Sequence, residues 1–519
     1  MNSPYEDILH TNTVPSDAEC QKIRDLLVGP RAEIAALTDE IVATQAWLDE
    51  LSRKRAVLTE FVDAHLKLVS PIRRLPADVM QEIFVACLPS GQNSVMSEQD
   101  APLLLCHICR AWRSLALSTP LLWASFHIVL PSMDEMPSMN ETVNEWLCRS
   151  GILPLSISVA APRHYEYDLS TFLQTLIGFS PRWNHIRFNL RTYNFFSPLA
   201  LLSPADVPIL QTLVLKGFNW TSDTPGTPNN HLGFMGTSSL RSLQIPTGPL
   251  TSTLLSHWGN LRRLSFRNST AVVSADEALT ILRKCPLLEM LSLHLTGGNV
   301  PPVTPCHMEY LRDLNVVAHS TMPTSNIFQH IIAPNLAHLE YRSSIAGSDL
   351  PFTAMLSSSR SLEGLSLKSR VPTTSLVHTL ALIPNLRRLL LNEPVLPSGE
   401  YDPLFMSLLN RPAPEAGGVL CPNLERIDLM LSCVADQALL EFIQTRVDPS
   451  FGTAPRLSKV RVSFQREQEI DIIPPLRGLI DEGLEVSLKY LELRGRQYSP
   501  SDALERHDQD WFPSPDFWS

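Results

Sequence analysis

Between residues 30 and 69 apolar side chains recur three, four and seven positions apart: Ile34, Leu37, Ile41, Leu48, Leu51, Leu58 and Val62. That spacing draws one stripe along an amphipathic helix, the a and d positions of a heptad. Asp49 with Arg53 and Glu50 with Lys54 fall four apart on the outer face, where opposite charges support a helix. Thr44 and Arg55 interrupt the seam. It therefore suits either a homodimer through 30–69 or packing on the chain's own body. Residues 1–29 are polar and acidic at their start and read as a poorly ordered N-terminus.

The pattern then breaks and restarts. Ser70-Pro71 ends the long helix, because a residue before proline is pushed out of helical backbone. Pro76 opens a second helix, with Asp78 at the positive end of its dipole. Val79, Met80, Ile83, Phe84, Cys87 and Leu88 give it an apolar stripe wide enough for more than one neighbour. A polar stretch to Gln99 follows. Asp100 is placed to cap a third helix running to about Leu117, which "STP" at 118–120 stops.

Further along, the pattern becomes a repeat, L-x-x-L-x-L, and a fixed motif takes precedence over local readings. It opens "LQTLVL" at 210, "LRSLQI" at 240, "LRRLSF" at 261, "LEMLSL" at 288, "LRDLNV" at 311 and "LAHLEY" at 336. It continues with "LEGLSL" at 362, "LRRLLL" at 386, "LERIDL" at 424, "LSKVRV" at 457 and "LKYLEL" at 488. Between the motifs, 274–286, 324–334, 373–384 and 435–444 carry helical stripes. A short strand followed by a helix, many times over, is the leucine-rich-repeat unit, in which each repeat buries its leucines against the next. The predicted organisation is an α+β multidomain chain. It comprises the helix 30–69, a helical segment 71–126, an irregular α/β solenoid over 150–495 and a C-terminal tail, 496–519.

A chain of 519 residues with 44% hydrophobic and 18% charged residues is long enough for several folded units and too apolar for global disorder. Its net charge of −11 argues against a broad phosphate-binding surface. Glycine (21) is scarce beside proline (42), which disfavours glycine-rich phosphate loops. The nine cysteines follow no framework spacing and read as reduced thiols. The first residues lack a basic start and an apolar run, and no apolar stretch approaches a membrane span, so the expected location is intracellular, in cytoplasm or nucleus. No nucleophile elbow, Walker loop, dinucleotide fingerprint or zincin motif occurs. Cys106 and Cys109 stand alone inside an apolar helix, where packing explains them better than metal. The sequence therefore predicts no catalytic residues, no cofactor and no metal, and no nucleic-acid or membrane partner.

"LPADVMQEIF" followed by "HICRAWRSLALSTPLLW" resembles an F-box, the helical module that docks the Skp-type adaptor of cullin-based ubiquitin ligases. The order of long helix, "SPIRRLP", F-box and irregular leucine-rich repeats resembles the expanded F-box families of mushroom-forming fungi. The segment "PSGQNSVMSEQDAPLL" at 89–104 departs from them, being longer and more polar than the usual connection. A module of about 50 residues is too small to bury both faces of its helices, so part of them is left for the adaptor. The resemblance implies that three helices dock the adaptor. Their contacts would be Leu75, Pro76, Val79, Ile83, Phe84, Ile108, Cys109, Trp112, Leu115, Ala116, Leu121 and Trp123.

It implies a substrate-recognition subunit that makes no bond itself, with Skp-type adaptor and cullin as partners and a protein target on the repeats. Strand residues alternating with the leucines face the concave surface of a solenoid. Arg263, Ser265, Asp313, Asn315, His338, Glu340, Arg388, Arg426 and Asp428 are the candidate target contacts. The alternative is a leucine-rich-repeat interaction scaffold outside any ligase.

Overall fold

A computed structural model describes residues 3–131, 133–161, 169–190, 196–216, 232–245, 258–266, 272–296, 304–318, 326–343, 350–359, 361–369, 372–392, 420–432, 434–447 and 457–490. The chain divides into two compact units, residues 1–83 and 84–519.

The first unit is dominated by one helix, α1 (Asp17–Val69), 53 residues and about 80 Å long at 1.5 Å per residue. It starts well before residue 30, which corrects the expectation of a disordered 1–29. The cause is a capping box: the Ser16 backbone N–H donates to Glu19 Oε2 at 2.8 Å, and the Ser16 hydroxyl donates to the same oxygen at 2.6 Å. Asp17 and Glu19 add negative charge to the first turn. Pro30 lies inside the helix, where it costs one backbone hydrogen bond without ending it. On the outer face Arg53 pairs with Glu50 at 2.8 Å rather than with Asp49, and Lys54 reaches the same carboxylate at 3.4 Å. No residue of α1 is buried. A 3-10 turn, Pro71–Arg74, leads into α2 (Ala77–Ala86), which crosses the boundary between the units.

In the second unit the expected third helix is two. α3 (Leu103–Ile108) and α4 (Arg110–Leu117) are separated by Cys109, whose backbone is extended and whose Sγ accepts from the Trp112 N–H at 3.5 Å. Arg113 Nε donates to the Cys106 carbonyl at 2.8 Å and holds the corner. A turn at Pro120–Trp123 delivers the chain to the sheet.

That sheet has fourteen parallel strands in one order. They are β1 (Ser125–Val129), β2 (Leu155–Ala160), β3 (Trp183–Asn189), β4 (Thr212–Lys216), β5 (Ser242–Ile245), β6 (Arg263–Phe266), β7 (Met290–Leu295), β9 (Asp313–Ala318), β11 (His338–Ser343), β12 (Gly364–Lys368), β13 (Arg388–Asn392), β14 (Arg426–Ser432), β15 (Lys459–Phe464) and β16 (Glu485–Lys489). β8 (Cys306–His307) and β10 (Ile331–Ile332) form a separate parallel pair. Consecutive strands pair in register, so equivalent side chains stack in rows. Leu264, Leu291, Leu314, Leu339, Leu365, Leu389, Ile427 and Val460 make one inward row. All are buried, and none could be buried by its own repeat alone.

The first ten L-x-x-L-x-L motifs each open a strand two residues on. The eleventh does not: β16 is built from "EVSLK", and the expected strand at 490 is displaced because Val486 and Leu488 take the inward positions. The sheet also begins at Ser125, not near 150. β1 to β3 bury Phe126, Ile128, Ile157, Val159, Ile186 and Phe188 where later repeats bury leucine, so a leucine motif misses them. Helices Ala275–Lys284, Thr373–Ala381 and Asp436–Val447 lie where expected, the first capped by Ser274 and Glu277. The stretch 324–334 is not a helix: Asn326–His330 is a 3-10 turn feeding β10. The end of the solenoid at 495 and the tail 496–519 lie outside the described residues.

The long polar connection 89–104 covers the first edge of this sheet. Val95 bridges His127 of β1 in parallel, and the His127 N–H donates to the Ser94 carbonyl at 2.6 Å. Asn93 Nδ2 donates to the Phe126 carbonyl at 3.2 Å and to Ser158 Oγ at 3.1 Å, while Asn93 Oδ1 accepts from Ser156 Oγ at 2.7 Å. An open strand edge invites pairing with other chains, and this segment closes it.

Candidate protein-interaction sites

The apolar residues of 71–126 fall into two groups. Leu75, Val79 and Ile83 in the first unit are exposed, at 38%, 41% and 38%; they recur four apart, so Val79 and Ile83 share one face of α2. Pro76 is exposed beside them. In the second unit Ile108 (55%) and Leu121 (52%) are exposed, with Leu104 and Leu117. Cys109 is also open, though its sulfur serves as the cap of α4, and Leu115 is half-buried.

Phe84, Ala116 and Trp123 behave differently, with no exposed surface at all. Trp123 Nε1 donates to the Ala116 carbonyl at 2.9 Å, its ring meets Trp146 edge-on at 4.8 Å, and the Arg149 guanidinium sits 4.9 Å above it. Phe84 packs against the half-buried Trp112, ring centroids 5.0 Å apart. These three side chains are interior and closed to any partner, which corrects their place among the expected adaptor contacts. A motif cannot separate inward from outward positions on a helix that is apolar on more than one face.

On the repeats, strand register places the candidate residues on one face of the sheet. Arg263, Asp313, His338, Arg388 and Arg426 share a row, continued by Lys459 and Glu485. Ser265, Asn315, Glu340 and Asp428 share the next, with Ser292, Ser366 and Arg461. Arg263 is exposed, and Ser265, Asp313, Asn315, His338 and Arg388 are half-exposed. Glu340, Arg426 and Asp428 are buried. Strands about 4.8 Å apart crowd the middle of a face, so these three serve it as paired charges instead of open contacts.

The pairs are specific. His338 Nδ1 lies 2.7 Å from Asp313 Oδ1. Glu340 accepts from Asn315 Nδ2 at 2.9 Å and from Lys368 Nζ at 2.7 Å. Burial pulls the Lys368 ammonium below the usual lysine range, while the Glu340 carboxylate works against that shift. Arg426 Nε donates to Asp428 Oδ2 at 2.9 Å, yet burial still raises the Asp428 carboxyl above its ordinary value. The second carboxylate oxygen of Asp428, Asn315 Oδ1 and Ser366 Oγ are buried without a hydrogen-bond partner. Such atoms are uncommon in a finished interior.

Sequence reading passed over the third row, where Arg342, Lys368 and Lys489 stand. The same alternation, carried two residues further in "LEGLSLK", would have found Lys368. With this row included, β11 to β16 expose or half-expose Arg342, Lys368, Arg388, Lys459, Arg461 and Lys489, of which Arg342 and Lys368 pair with Glu340 and Lys459 with Glu485.

Among the described residues no group of three or more His, Cys, Asp or Glu side chains is placed to hold a metal ion, and no helix is long and apolar enough to cross a membrane. Cys106 is buried and its thiol is pushed up by that burial, with Arg113 and Arg149 opposing. His127 and His185 sit on the same sheet face near its start, both held below the usual imidazole range by burial and then by Arg187. His127 Nδ1 lies 2.8 Å from Ser158 Oγ, but that hydroxyl is also engaged with Asn93 in the edge cover.

No family model and no curated protein matches the chain. Among the solved structures that match is the crystal structure of a TLR13–ssRNA13 complex, at 16% identity and a TM-score of 0.37. The match covers 70% of this chain and 45% of that one, so the chain spans less than half the length of that structure.

Proposed function

We propose that this chain is the substrate-recognition subunit of a cullin-based ubiquitin ligase. Segment 71–126 docks the Skp-type adaptor, and the repeat face holds a protein target. The observation that carries this reading is the exposure of Leu75, Val79, Ile83, Ile108 and Leu121. These are apolar residues that the F-box resemblance assigns to the adaptor and that the chain's own interior does not use. Large apolar side chains left in water favour a partner by roughly 1.5–3 kcal/mol each when fully covered. Phe84, Ala116 and Trp123 are buried and take no part in the docking.

The chain itself makes no bond in this reading. It raises the local concentration of target lysines near the charged ubiquitin carrier, which turns transfer into an intramolecular step. The target is a protein, because the sheet face that would hold it mixes both signs of charge: Arg342 and Lys368 stand beside Glu340, and Lys459 beside Glu485.

The test is co-purification of the full chain with Skp-type adaptor and cullin, beside an Ile83→Asp, Leu121→Asp double variant. Both positions are exposed, so the variant keeps its helical and strand circular-dichroism signal. Wild type recovers both partners and the variant neither, a loss of at least about 2–4 kcal/mol as for interface hot spots. Failure of the wild type to bind either partner overturns the proposal.

A further inference from the structure

We infer that α1 is one half of a parallel, in-register, two-stranded coiled coil whose other half is α1 of a second copy of this chain. The first ground is exposure. Over 53 residues α1 buries nothing, while Ile34, Leu37, Ile41, Leu48, Leu51, Leu58 and Val62 remain 41–68% exposed. An amphipathic helix in water depends on covering its apolar face, and nothing in the helix's own unit covers this one.

The second ground is the heptad, which has one phase. Ile34, Ile41, Leu48, Arg55 and Val62 occupy a, and Leu37, Thr44, Leu51, Leu58 and His65 occupy d. β-branched residues dominate a and leucine dominates d, the distribution that selects two parallel strands over three or four. The third ground is local shape. Leu37, Glu40, Ile41, Thr44, Gln45 and Leu48 line a hollow on the helix surface. Those six are two overlapping four-residue holes: 37, 40, 41 and 44 receive an a knob, and 41, 44, 45 and 48 receive a d knob. In a parallel pair the knobs would be Ile41 and Thr44 of the second copy.

Charge fits the same arrangement. The flanking g-to-e pairs across a parallel interface are Glu19 with Arg24, Leu26 with Arg31, Glu33 with Thr38, Glu40 with Gln45, Trp47 with Ser52, Lys54 with Thr59 and Phe61 with Leu66, none of them like-charged. Arg55 sets the register. Opposite its own copy, both guanidiniums share one wet layer, whereas a slip of one heptad sets each against Leu48 or Val62.

Sedimentation equilibrium of the full chain at micromolar concentration tests the pairing. The expected species is a dimer of 116 kDa, twice 58.0 kDa. An Ile41→Asp, Leu48→Asp variant sediments as the monomer, and Arg55→Val tightens self-association roughly tenfold or more, because two like charges leave the a layer and an apolar pair replaces them. A His65→Cys variant tests direction. Under diamide, two thiols at facing d positions lose two protons and two electrons to the oxidant and join as a 65-to-65 disulfide, identified by peptide mass. A wild-type monomer, a trimer or an association indifferent to Arg55→Val overturns the inference. A dimer that forms no 65-to-65 disulfide overturns its parallel register. Either result leaves the adaptor proposal standing, since that proposal uses no residue of α1.

Discussion

Trp123 and Leu121 show how much two residues of one turn can differ. Both belong to Pro120–Trp123, yet Leu121 is 52% exposed and Trp123 is fully buried. The indole meets Trp146, stacks under Arg149 and ties its N–H to the end of α4. Trp123→Ala therefore removes a large buried ring and one hydrogen bond to the Ala116 carbonyl, and is expected to cost about 3–5 kcal/mol of stability. Urea unfolding followed by circular dichroism checks this. Leu121→Ala should leave the same midpoint nearly unmoved, and equal shifts for the two would contradict the division into interior and display positions.

Elements at the C-terminal end of the sheet are joined through one carboxylate. Asp436, fully buried at the start of helix Asp436–Val447, accepts from Arg466 at 2.8 Å, from the N–H groups of Glu469 and Ile470 at 2.8 and 3.0 Å, and from the Tyr490 hydroxyl at 3.0 Å. Burial alone would raise this carboxyl. Arg466, the two backbone donors and Tyr490 outweigh burial and hold it below the usual aspartate range. A carboxyl depressed in the folded state stabilises above its unfolded pKa of about 3.9 and loses that contribution as pH falls through the folded value. Asp436→Asn is expected to cost about 1–3 kcal/mol at neutral pH, because the buried amide keeps one acceptor oxygen where the carboxylate serves its donors with two. Its stability should also fall less steeply than wild type below about pH 4. Denaturant midpoints at pH 7 and pH 3 measure both effects.

At the scale of the whole molecule, a single-file sheet draws its stability from nearest neighbours, so its two edges matter more than any interior repeat. The β1 edge is closed by residues 93–95. Deleting 92–97 should leave the repeats folded but expose that edge, giving faster aggregation in static light scattering at unchanged circular dichroism. A deletion variant as soluble as wild type would show that the connection is only a linker. The same segment was the one departure from the F-box pattern in the sequence, and its tertiary role explains both its length and its polarity. The Asn93 side chain is there to hydrogen-bond a strand edge, which an apolar residue could not do.

The sequence by itself determined whatever depends on local periodicity. Ten repeat strands, three of the helices between them and the heptad of α1 were legible because inward leucines and a/d residues recur at fixed intervals whatever lies beside them. The capping box at Ser16 and Glu19 was equally local and equally readable, although composition pointed to disorder there. Three things required the tertiary structure. β1 to β3 needed it because Phe, Ile and Val fill their inward rows in place of leucine. The sorting of Phe84, Ala116 and Trp123 from Val79, Ile83 and Leu121 needed it because an apolar side chain carries no mark of which neighbour will cover it. The Lys368–Glu340 and Arg466–Asp436 pairs needed it because their partners lie 28 and 30 residues apart and meet only when successive strands stack in register. Periodicity is written in the chain; adjacency between repeats is created by folding.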